Sequence, residues 1–524
     1  MPRPSVPFAL LNPRPTLKTA SIRLAVTGLF VFVLGVAEHG RPAVADDSRP
    51  SRPNVILILA DDLGWTDLRC YGSDFHDTPR LDKLAAEGMK FTQNYSACTV
   101  CSPTRAALLT GKSPARLHIT DWIPGLMPDN PKLLVPDWTK HLPHQETTLA
   151  ERFGEAGYRT ASIGKWHLGE QPYYPQSHGF DLNIAGTDKA APPSFLAPWK
   201  IATISEGQPG EYITDRLADE AVSFIEQSKQ QPFFLYLPHF AVHTPIQGRA
   251  DLVAKYRRTR DPHRRHHHVQ YAAMVESLDA AVGRVLDALD IHQLTANTIV
   301  VFTSDNGGRI TQGTTDNWPL RYGKASAYEG GVRVPLIIRW PGITPMDSVC
   351  DTPVITMDLY PTLIEMAGLH RQRTDADNVE EIKSRETSGQ AQRKALGGPD
   401  GDNEEIDGQS LLPLVRKSGT LSRTDLFWHY PHHQHYQLGG AMPYGAIRSG
   451  DYKLIEFYND MHVELYDLAA DIGEQNDLAA QQPQRADELR QRLHAWRIKV
   501  GAQMPVANPA YDPSIPEYNP PVPK

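Results

Sequence analysis

Ionisable and amide side chains follow four short segments that are predicted to be strands, directly after or shortly after each segment ends. Three carboxylates and one amide oxygen among them are hard oxygen ligands, which favour Ca²⁺ or Mg²⁺ over zinc. The histidines are candidates for general acid or base catalysis, although a single Asp-Asp pair could also cap a helix or form a turn. In chain order these residues are Asp61 and Asp62, Lys165 and His167, His239 and His243, and Asp305 and Asn306.

A second candidate for chemistry is the segment Cys101-Ser-Pro-Thr-Arg105, which continues as Ala-Ala-Leu-Leu-Thr-Gly111-Lys112. Pro103 suits the first turn of a helix and Gly111 suits its end, so Cys101 is predicted at a helix N-terminus. Arg105 follows one turn later on the same helix face. The free N–H groups and the helix dipole there favour an anion. Cys101 could be an activated thiol nucleophile or a buried structural cysteine.

The elements that must position these residues alternate between short apolar strands and amphipathic helices, a pattern typical of a parallel sheet covered by helices. The carboxyl ends of parallel strands form the ligand crevice of such a sheet, so the polar residues are predicted to share one pocket. The predicted strands are Asn54 to Leu59, Tyr158 to Ile163, Phe233 to Leu237 and Thr298 to Thr303, and the predicted helices are Pro79 to Glu87, Thr148 to Ala156, Asp215 to Gln227 and Tyr271 to Leu289.

Composition excludes several classes of protein. The 524 residues are 40% hydrophobic, enough to bury a large core, so the chain is not disordered by default. Its 53 basic and 61 acidic side chains give a net charge of −8, so no global field attracts nucleic acid, and an anionic substrate needs local cations. Four cysteines are too few for a disulfide scaffold and fit no zinc spacing.

The chain is predicted to contain five regions. Residues 1–45 read as a signal peptide, because Arg23 precedes a short apolar run and Ala43-Val-Ala45 offers a cleavage site; a membrane anchor is the alternative. Residues 46–370 form the catalytic α/β domain, and 371–408 a polar, disordered insertion. Residues 409–504 form a small α+β subdomain with a hairpin over Tyr444 to Phe457, a strand over Val463 to Asp467 and a helix over Ala486 to Gln503. Residues 505–524 are a proline-rich surface tail.

The Cys-x-Pro-x-Arg segment, followed by Ala-x-Leu-x-Thr-Gly-Lys, resembles the signature of the type I, formylglycine-dependent sulfatases. This arylsulfatase-like family belongs to the alkaline-phosphatase-like superfamily. The similarity covers about Pro53 to Leu369 and resumes from Asp407 to Leu478. The other matching motifs are Asn54 to Gly64, Gly164-Lys-Trp-His-Leu-Gly169, His243-Thr-Pro245, Thr303-Ser-Asp-Asn-Gly307, Gly323 to Arg333, Asp358-Leu-Tyr-Pro-Thr362 and Leu465-Tyr-Asp-Leu468.

The resemblance implies a fold, an activity and a role for each matching residue. It implies a large mixed, mostly parallel sheet flanked by helices, with a smaller C-terminal α+β subdomain. It implies that a maturase converts Cys101 to formylglycine (3-oxoalanine), whose hydrate attacks a sulfate monoester to form a Ca²⁺-bound sulfuryl-enzyme intermediate. The implied ligands of one Ca²⁺ are Asp61, Asp62, Cys101, Asp305 and Asn306.

The remaining implied roles concern the sulfuryl group and the protons. Arg105 would hold the modified side chain, and Lys165 and Lys324 would bind sulfate oxygens. His243 would donate a proton to the leaving group, and His167 would accept the proton in the elimination. A cation and two lysines would stabilise the charge that the transition state spreads over the sulfate oxygens.

The sequence leaves several alternatives open. A phosphatase or phosphodiesterase of the same superfamily would use Ser or Thr as nucleophile, and an unmodified Cys101 would leave a carbohydrate-binding pseudo-sulfatase. The substrate is a sulfated saccharide or an aryl sulfate, and the protein is predicted to be exported, with no membrane span and no nucleic-acid partner. At most one disulfide is predicted among Cys70, Cys98 and Cys350.

Two histidine-rich segments have no catalytic spacing. The segment His263 to His268 is predicted to be a solvated helix entry. The segment Trp428 to Tyr436 is predicted to lie near the rim of the pocket, where its aromatic rings could stack on a leaving group. Neither segment has the spacing of a zinc site.

Overall fold

The fold is described for residues 52–369, 405–434 and 442–516 in a computed structural model. These residues belong to one of the two units into which the chain divides, Ser51–Lys524. The predicted signal peptide, residue 370, residues 371–404 of the predicted insertion, residues 435–436 of the second histidine-rich segment and the last eight residues of the tail lie outside the described residues.

A mixed eight-stranded sheet forms the centre of the fold, in the order β10-β2-β9-β8-β1-β7-β5-β6. β9 is antiparallel to both of its neighbours, and the other pairings in the sheet are parallel. In chain order the strands are β1 Asn54–Ala60, β2 Met89–Phe91, β3 Asn94–Tyr95, β4 Leu133–Leu134, β5 Arg159–Ile163, β6 Leu182–Ile184, β7 Phe233–Pro238, β8 Thr298–Ser304, β9 Leu336–Arg339, β10 Ser348–Cys350, β11 Val354–Ile355, β12 Asp425–Tyr430, β13 Tyr444–Ser449, β14 Tyr452–Phe457, β15 Val463–Asp467 and β16 Val506–Ala507.

Helices cover both faces of this sheet and carry the capping signals that the sequence indicates. The Thr148 hydroxyl accepts a hydrogen bond from the Glu151 amide, and the Glu151 carboxylate accepts one from the Thr148 amide, so the helix that begins at Leu149 starts with a capping box. No helix of the described residues is long and apolar enough to cross a membrane. The helices are α1 Pro79–Ala86, α2 Cys101–Thr110, α3 Pro114–Leu117, α4 Leu149–Glu155, α5 Ile213–Ser228, α6 Ala250–Thr259, α7 Val269–Ile291, α8 Glu329–Val332, α9 Leu359–Met366, α10 Leu412–Val415 and α11 Pro483–Val500.

The central strands are apolar along their whole length because both faces of the sheet are buried. In β1, Ile56 and Ile58 pack in one hydrophobic cluster with α5 and α7, whereas Val55 and Leu57 pack in the other with α4 and α9. Alternate side chains of a strand point to opposite faces, so a strand covered on both sides needs no polar positions. This arrangement confirms the predicted α/β fold with a mostly parallel sheet.

A separate antiparallel sheet, in the order β12-β13-β14-β15, forms the C-terminal part with α11 packed against it. The predicted hairpin is confirmed, with Ser449 paired to Tyr452 across a two-residue turn. Gly450 lies at φ +58°, a conformation that glycine adopts without strain. The predicted strand Val463 to Asp467 is confirmed as β15, and the final helix begins and ends three residues earlier than predicted.

Two segments are more firmly attached to the fold than their composition suggests. Residues 405–408, the end of the predicted insertion, contact the first domain: Asp407 binds Arg116 at 2.7 Å and its amide donates to the Gly111 carbonyl. The tail is exposed as predicted, but β16 within it pairs with β4. A polar composition excludes burial in a core but does not exclude pairing by backbone hydrogen bonds.

Candidate active site

The polar residues that follow the central strands converge at one edge of the sheet. β1 lies between β7 and β8 in parallel register, so Asp61 and Asp305 leave the sheet side by side. The Asp305 amide donates to the Ala60 carbonyl at 3.2 Å, and the Lys165 amide donates to the Pro238 carbonyl at 2.7 Å. Gly164, at φ +127°, permits the second contact because a Cβ atom there would lie 1.9 Å from that carbonyl oxygen.

Cys101 is the first residue of α2, as the sequence predicts, and Gly111 ends this helix in the left-handed conformation at φ +72°. The Cys101 Sγ atom lies 3.6 Å from Lys324 Nζ and donates to Asp61 Oδ1 at 3.7 Å. Burial alone would raise the pKa of this thiol, but Lys165 and Lys324 outweigh it and lower the pKa to about 6. The site is therefore built to hold an anionic group at position 101.

Three buried ion pairs surround Cys101. Lys165 Nζ binds Asp61 Oδ2 at 2.7 Å, and Lys324 Nζ binds Asp62 Oδ1 at 2.6 Å. Arg105 donates from Nε and Nη2 to Asp305 Oδ2, at 3.0 and 2.7 Å. Burial would raise the pKa of Asp62, but Lys324 and His243 hold it well below its usual range.

The carboxyl groups of Asp61 and Asp305 respond differently from that of Asp62. Burial raises the pKa of both groups. Cys101 raises the pKa of Asp61 further, and Asp61 and Asp62 raise that of Asp305 further. The lysine and arginine beside them oppose this effect without overcoming it. Carboxylates crowded at one point in this way are stabilised by a bound cation.

His243 and His167 line the same site and have opposite protonation tendencies. His243 Nε2 lies 3.6 Å from Asp62 Oδ2, and this carboxylate raises the histidine pKa although burial opposes it. His167 Nε2 donates to the Ile123 carbonyl at 2.5 Å, and its buried Nδ1 has no hydrogen-bond partner among the described residues. Burial, followed by Lys165, holds the pKa of His167 well below its usual value.

The residues present fit a hard divalent cation. Asp62 Oδ2 and Asn306 Oδ1 are buried and have no hydrogen-bond partner within the described ranges. The Asn306 amide group donates to Asp62 Oδ1 at 2.8 Å, which leaves its carbonyl oxygen available as a ligand. Ligand atoms of Asp61, Asp62, Cys101 and His243 lie within 4.8 Å of one another. Buried oxygen atoms without donors are costly unless a cation binds them.

Sequence reasoning did not identify the residues that hold the site loops in place. Ser304 Oγ accepts from the Leu63 amide and donates to the Asn306 carbonyl, which links the two acidic loops. Ser102 Oγ donates to the His167 carbonyl at 2.9 Å. Serine next to a motif is too common to be a signal. His239, one of the polar residues at the strand ends, is buried without a side-chain partner in the described residues.

The structure corrects the interpretation of one histidine in the first histidine-rich segment, while His263 is exposed and His268 caps α7 as a helix entry. His266, predicted to be solvated, is buried, with Nε2 2.9 Å from the Asp316 carbonyl and 3.5 Å from Asp67 Oδ1. In the second segment, His432 and His433 are buried, and His432 Nε2 lies 2.8 Å from Thr120 Oγ1. Its predicted place near the rim of the pocket stays a prediction. Local composition could not reveal this burial because the partners are distant in sequence.

Comparison with known proteins identifies relatives along most of the chain. The Sulfatase family model matches residues 53–369, and the model for the C-terminal part of N-sulphoglucosamine sulphohydrolase matches residues 401–499. A sulfatase of Formosa agariphila is 33% identical over an alignment of 532 residues, and the alignment covers 86% of this chain and 90% of the relative. The N-acetylgalactosamine-6-sulfatase of Mus musculus is 34% identical over 402 residues, covering 72% of this chain and 69% of the relative.

Solved structures give the same result. The crystal structure of Ps i-CgsB in complex with k-i-k-neocarrahexaose superimposes with a TM-score of 0.67 at 28% identity, covering 85% of this chain and 93% of that one. The similarity spans both the central sheet and the C-terminal sheet, and the fold is that of the alkaline-phosphatase-like superfamily. This chain therefore belongs to the sulfatase family, whose arylsulfatase-like enzymes are sulfuric ester hydrolases.

Proposed function

We propose that this protein is an exported sulfatase that hydrolyses a sulfate monoester on a saccharide, with Cys101 converted to formylglycine and one Ca²⁺ in the site. The observation that carries this proposal is the position of Cys101 at the start of α2, 3.6 Å from Lys324 Nζ and 3.7 Å from Asp61 Oδ1. A buried structural cysteine would have apolar neighbours. This one is surrounded by the charged groups that sulfuryl transfer requires.

Conversion of Cys101 explains how one residue serves both halves of the reaction. A hydrated formylglycine carries two hydroxyl groups on one carbon, so one can attack sulfur and the other can expel sulfate. A thiol or a serine could accept the sulfuryl group but could not release it in this way. We therefore propose a formylglycine-generating maturase as a partner.

The cationic side chains would bind the sulfate group. Lys324 Nζ lies beside Cys101, and Lys165 Nζ lies on the other side of Asp61. Arg105, fully buried and paired with Asp305, supplies a fixed positive charge below the reacting atoms. Charges held in place before the reaction stabilise the transition state without a reorganisation cost.

The two histidines would move the protons. His243 Nδ1 lies 2.9 Å from the Thr244 carbonyl, which can only accept, so the second ring proton is on Nε2, facing the site. The raised pKa of His243 favours the protonated form that donates to a leaving oxygen. His167 has the opposite arrangement, because its Nε2 donates to the Ile123 carbonyl and its Nδ1 is available to accept a proton.

The proposed ligands of Ca²⁺ are Asp61, Asp62, Asp305, Asn306 and the modified side chain at position 101. When bound, the ion would act as a Lewis acid toward sulfate oxygens. The Asp62 Oδ2 and Asn306 Oδ1 atoms, which are buried and accept no hydrogen bond from the described residues, support this ligand set. Oxygen ligands alone favour Ca²⁺ over zinc.

The substrate class and the cellular location are also proposed. One relative is named for N-acetylgalactosamine 6-sulfate chemistry, and Ps i-CgsB was crystallised with a carrageenan oligosaccharide, which supports a sulfated saccharide. The signal-peptide pattern of residues 1–45 supports export. We also propose that residues 46–370 form the catalytic domain and residues 409–504 the C-terminal subdomain.

Two measurements on one preparation test the proposal. Mass spectrometry of the peptide that contains residue 101 should show a loss of about 18 Da when the cysteine becomes an aldehyde. The same preparation should release sulfate from sulfated mono- and oligosaccharides. An unmodified Cys101 in active protein would refute the nucleophile. Faster hydrolysis of a phosphate monoester than of any sulfate ester would favour the phosphatase alternative.

A further inference from the structure

An exposed basic segment spans the end of α6 and the connection to α7, outside the catalytic pocket. It has five arginines within nine residues, in a protein whose net charge is −8. All five side chains are exposed. Such a local concentration of charge creates a field that the net charge of the protein does not reveal. The arginines are Arg257, Arg258, Arg260, Arg264 and Arg265.

None of these arginines forms an ion pair with a carboxylate within 4.0 Å in the part of the chain that the structure describes, although Asp261 lies inside the segment. Arg260 and Arg264 instead donate to the backbone carbonyls of His267 and Asp74. Nearby Lys255 differs, because it binds the carboxylates of both Asp77 and Glu276. The positive charge of the segment is therefore available to an external anion.

The basic segment is attached to the loop that carries the active-site lysine. This loop runs from Asn306 to Lys324, and the Lys324 amide donates to the Gly308 carbonyl at 3.1 Å. His266 binds the same loop through the Asp316 carbonyl at 2.9 Å, and the Arg265 guanidinium stacks on the Trp318 ring. The basic segment is therefore attached to the loop that ends at Lys324.

A cleft between the two segments has the chemistry of a saccharide subsite. It has a volume of about 260 Å³ and is lined by Arg265, His267, Thr315 and Tyr322, among others. Trp318 lies beside it and remains 57% exposed, although large aromatic side chains are usually buried. Arginine, hydroxyl groups and an exposed indole ring are suited to sulfate groups and to the faces of sugar rings.

We propose that the basic rim, defined as residues 257–267 together with Trp318, binds the flanking sulfated residues of a polysaccharide whose scissile ester lies at Cys101. This inference rests on the proposed function and extends it from a sulfate ester to a polyanionic chain. A sulfated chain is favoured over nucleic acid because the rim is continuous with the loop that carries Lys324.

The test compares two variants with the same change in net charge. The rim variant carries Arg257→Gln, Arg258→Gln, Arg260→Gln and Arg264→Gln, and the control carries Lys229→Gln, Lys417→Gln, Arg485→Gln and Lys499→Gln at exposed positions elsewhere. Each is made in the full-length chain and in a Cys101→Ala background, which allows binding to be measured without turnover. The probes are ι-carrageenan, a desulfated carrageenan, and duplex DNA of similar charge density.

The rim variant should bind ι-carrageenan roughly tenfold to a hundredfold more weakly than the parent, with a shallower dependence of affinity on salt. The control should change by less than about threefold, and desulfated carrageenan should bind weakly to all forms. In the full-length chain that keeps Cys101, the rim variant should hydrolyse a small aryl or monosaccharide sulfate with kcat and KM within about twofold of the parent. None of its four substituted residues belongs to the proposed catalytic site.

Trp318→Ala tests the aromatic part of the rim separately and should weaken carrageenan binding by about fivefold. Equal losses in the rim and control variants, no loss in the rim variant, or DNA binding as tight as carrageenan binding would each overturn the inference. Because binding is measured in the Cys101→Ala background, this result is independent of catalysis. A protein that binds carrageenan through the rim but releases no sulfate would refute the proposed function and leave the binding surface intact.

Discussion

Two of the buried charged clusters in the described residues differ in how closely donor atoms approach their oxygen atoms. One is the active site, with Asp61, Asp62 and Asp305 opposite two lysines and an arginine. The other, here called the junction cluster, consists of Tyr95, Glu329, Lys453 and Glu474 and connects the first domain to the C-terminal sheet.

In the junction cluster every carboxylate oxygen lies within 3.0 Å of a donor atom, although the contact between Lys453 and Glu474 Oε1 is an ion pair without hydrogen-bond geometry. Lys453 Nζ lies 3.0 Å from one oxygen of Glu329 and 3.0 Å from one oxygen of Glu474. The second oxygen of Glu329 accepts from the Tyr95 hydroxyl at 2.7 Å, and the second oxygen of Glu474 accepts from the Glu329 amide at 2.7 Å. Such a cluster has no ligand atom to offer and serves to join two parts of the fold.

The active site differs, because His243 Nε2 lies 3.6 Å from Asp62 Oδ2, beyond hydrogen-bond distance. Asp62 Oδ2 and Asn306 Oδ1 are buried without hydrogen bonds in the described residues, and both belong to residues that follow central strands. The comparison shows that the number of buried charges does not distinguish a binding site from a structural ion network. Buried oxygen atoms without a close donor distinguish the active site from the junction cluster, because a bound cation can offset the desolvation of these atoms.

The largest expected effect concerns catalysis in the active site. Cys101→Ala should lower the rate of sulfate release by a factor on the order of 10⁴ or more, because it removes the nucleophile precursor. The urea midpoint should change little, since the side chain mainly contacts Lys324 and Asp61. Sulfate release and urea unfolding measure the two properties. Turnover close to that of the parent would contradict the proposed mechanism.

The next largest effect concerns the stability that the junction cluster contributes. Lys453→Met should lower the free energy of unfolding by about 3–5 kcal/mol, because it leaves Glu329 and Glu474 buried without their shared cation. Urea unfolding followed by circular dichroism measures the change. The exposed Lys417→Met provides the control and should change stability by less than about 0.5 kcal/mol. A loss below about 1 kcal/mol in Lys453→Met would show that the junction cluster does not hold the domains together.

Calcium should stabilise the folded protein by binding at the active site, and the junction cluster should play no part in this effect. At a calcium concentration about 100 times the Kd, unfolding should require about 2.7 kcal/mol more than in a chelator. Asn306→Ala removes an unpartnered ligand oxygen and should lose most of this gain, whereas Glu474→Gln should keep it. Thermal unfolding with calcium and with chelator measures the difference. An equal gain in both variants would place the cation elsewhere.

The smallest effect is the pH dependence of the junction cluster. Burial, with Glu329 as a second cause, raises the pKa of Glu474 to about 7, although Lys453 opposes the rise. The folded protein therefore binds a proton there that the unfolded chain loses near pH 4.5, so this contribution to stability is complete below pH 4.5 and disappears as pH rises to 7.

Glu474→Gln should remove this proton uptake. The free energy of unfolding of the variant should fall less between pH 5 and 7 than that of the parent, by about 1–3 kcal/mol. Urea unfolding at several pH values measures the slope, which does not depend on the absolute stability of the variant. Parallel profiles for the two proteins would mean that Glu474 titrates normally.

The predictability of the two clusters from sequence follows from how their residues are arranged along the chain. Each active-site residue follows a strand or begins a helix, so strand and helix signals locate Asp61, Lys165, Asp305 and Cys101. The junction residues lie in elements with no common signal: Glu329 begins a short helix, Lys453 lies within a strand, and Glu474 lies in a loop. Their pairing was not predicted for this reason.

The sequence by itself determined the class of fold, the edge of the sheet where the site lies, and the chemical groups available there. Periodicity of apolar residues specifies strands and helices locally, and parallel strands must bring their carboxyl ends together. Tertiary structure decided which oxygens remain without a donor, that His266 and His432 are buried, and that the Arg257 to Arg265 segment adjoins the loop of Lys324. These properties depend on contacts between residues far apart in the chain, and no local pattern encodes the distance between two such side chains.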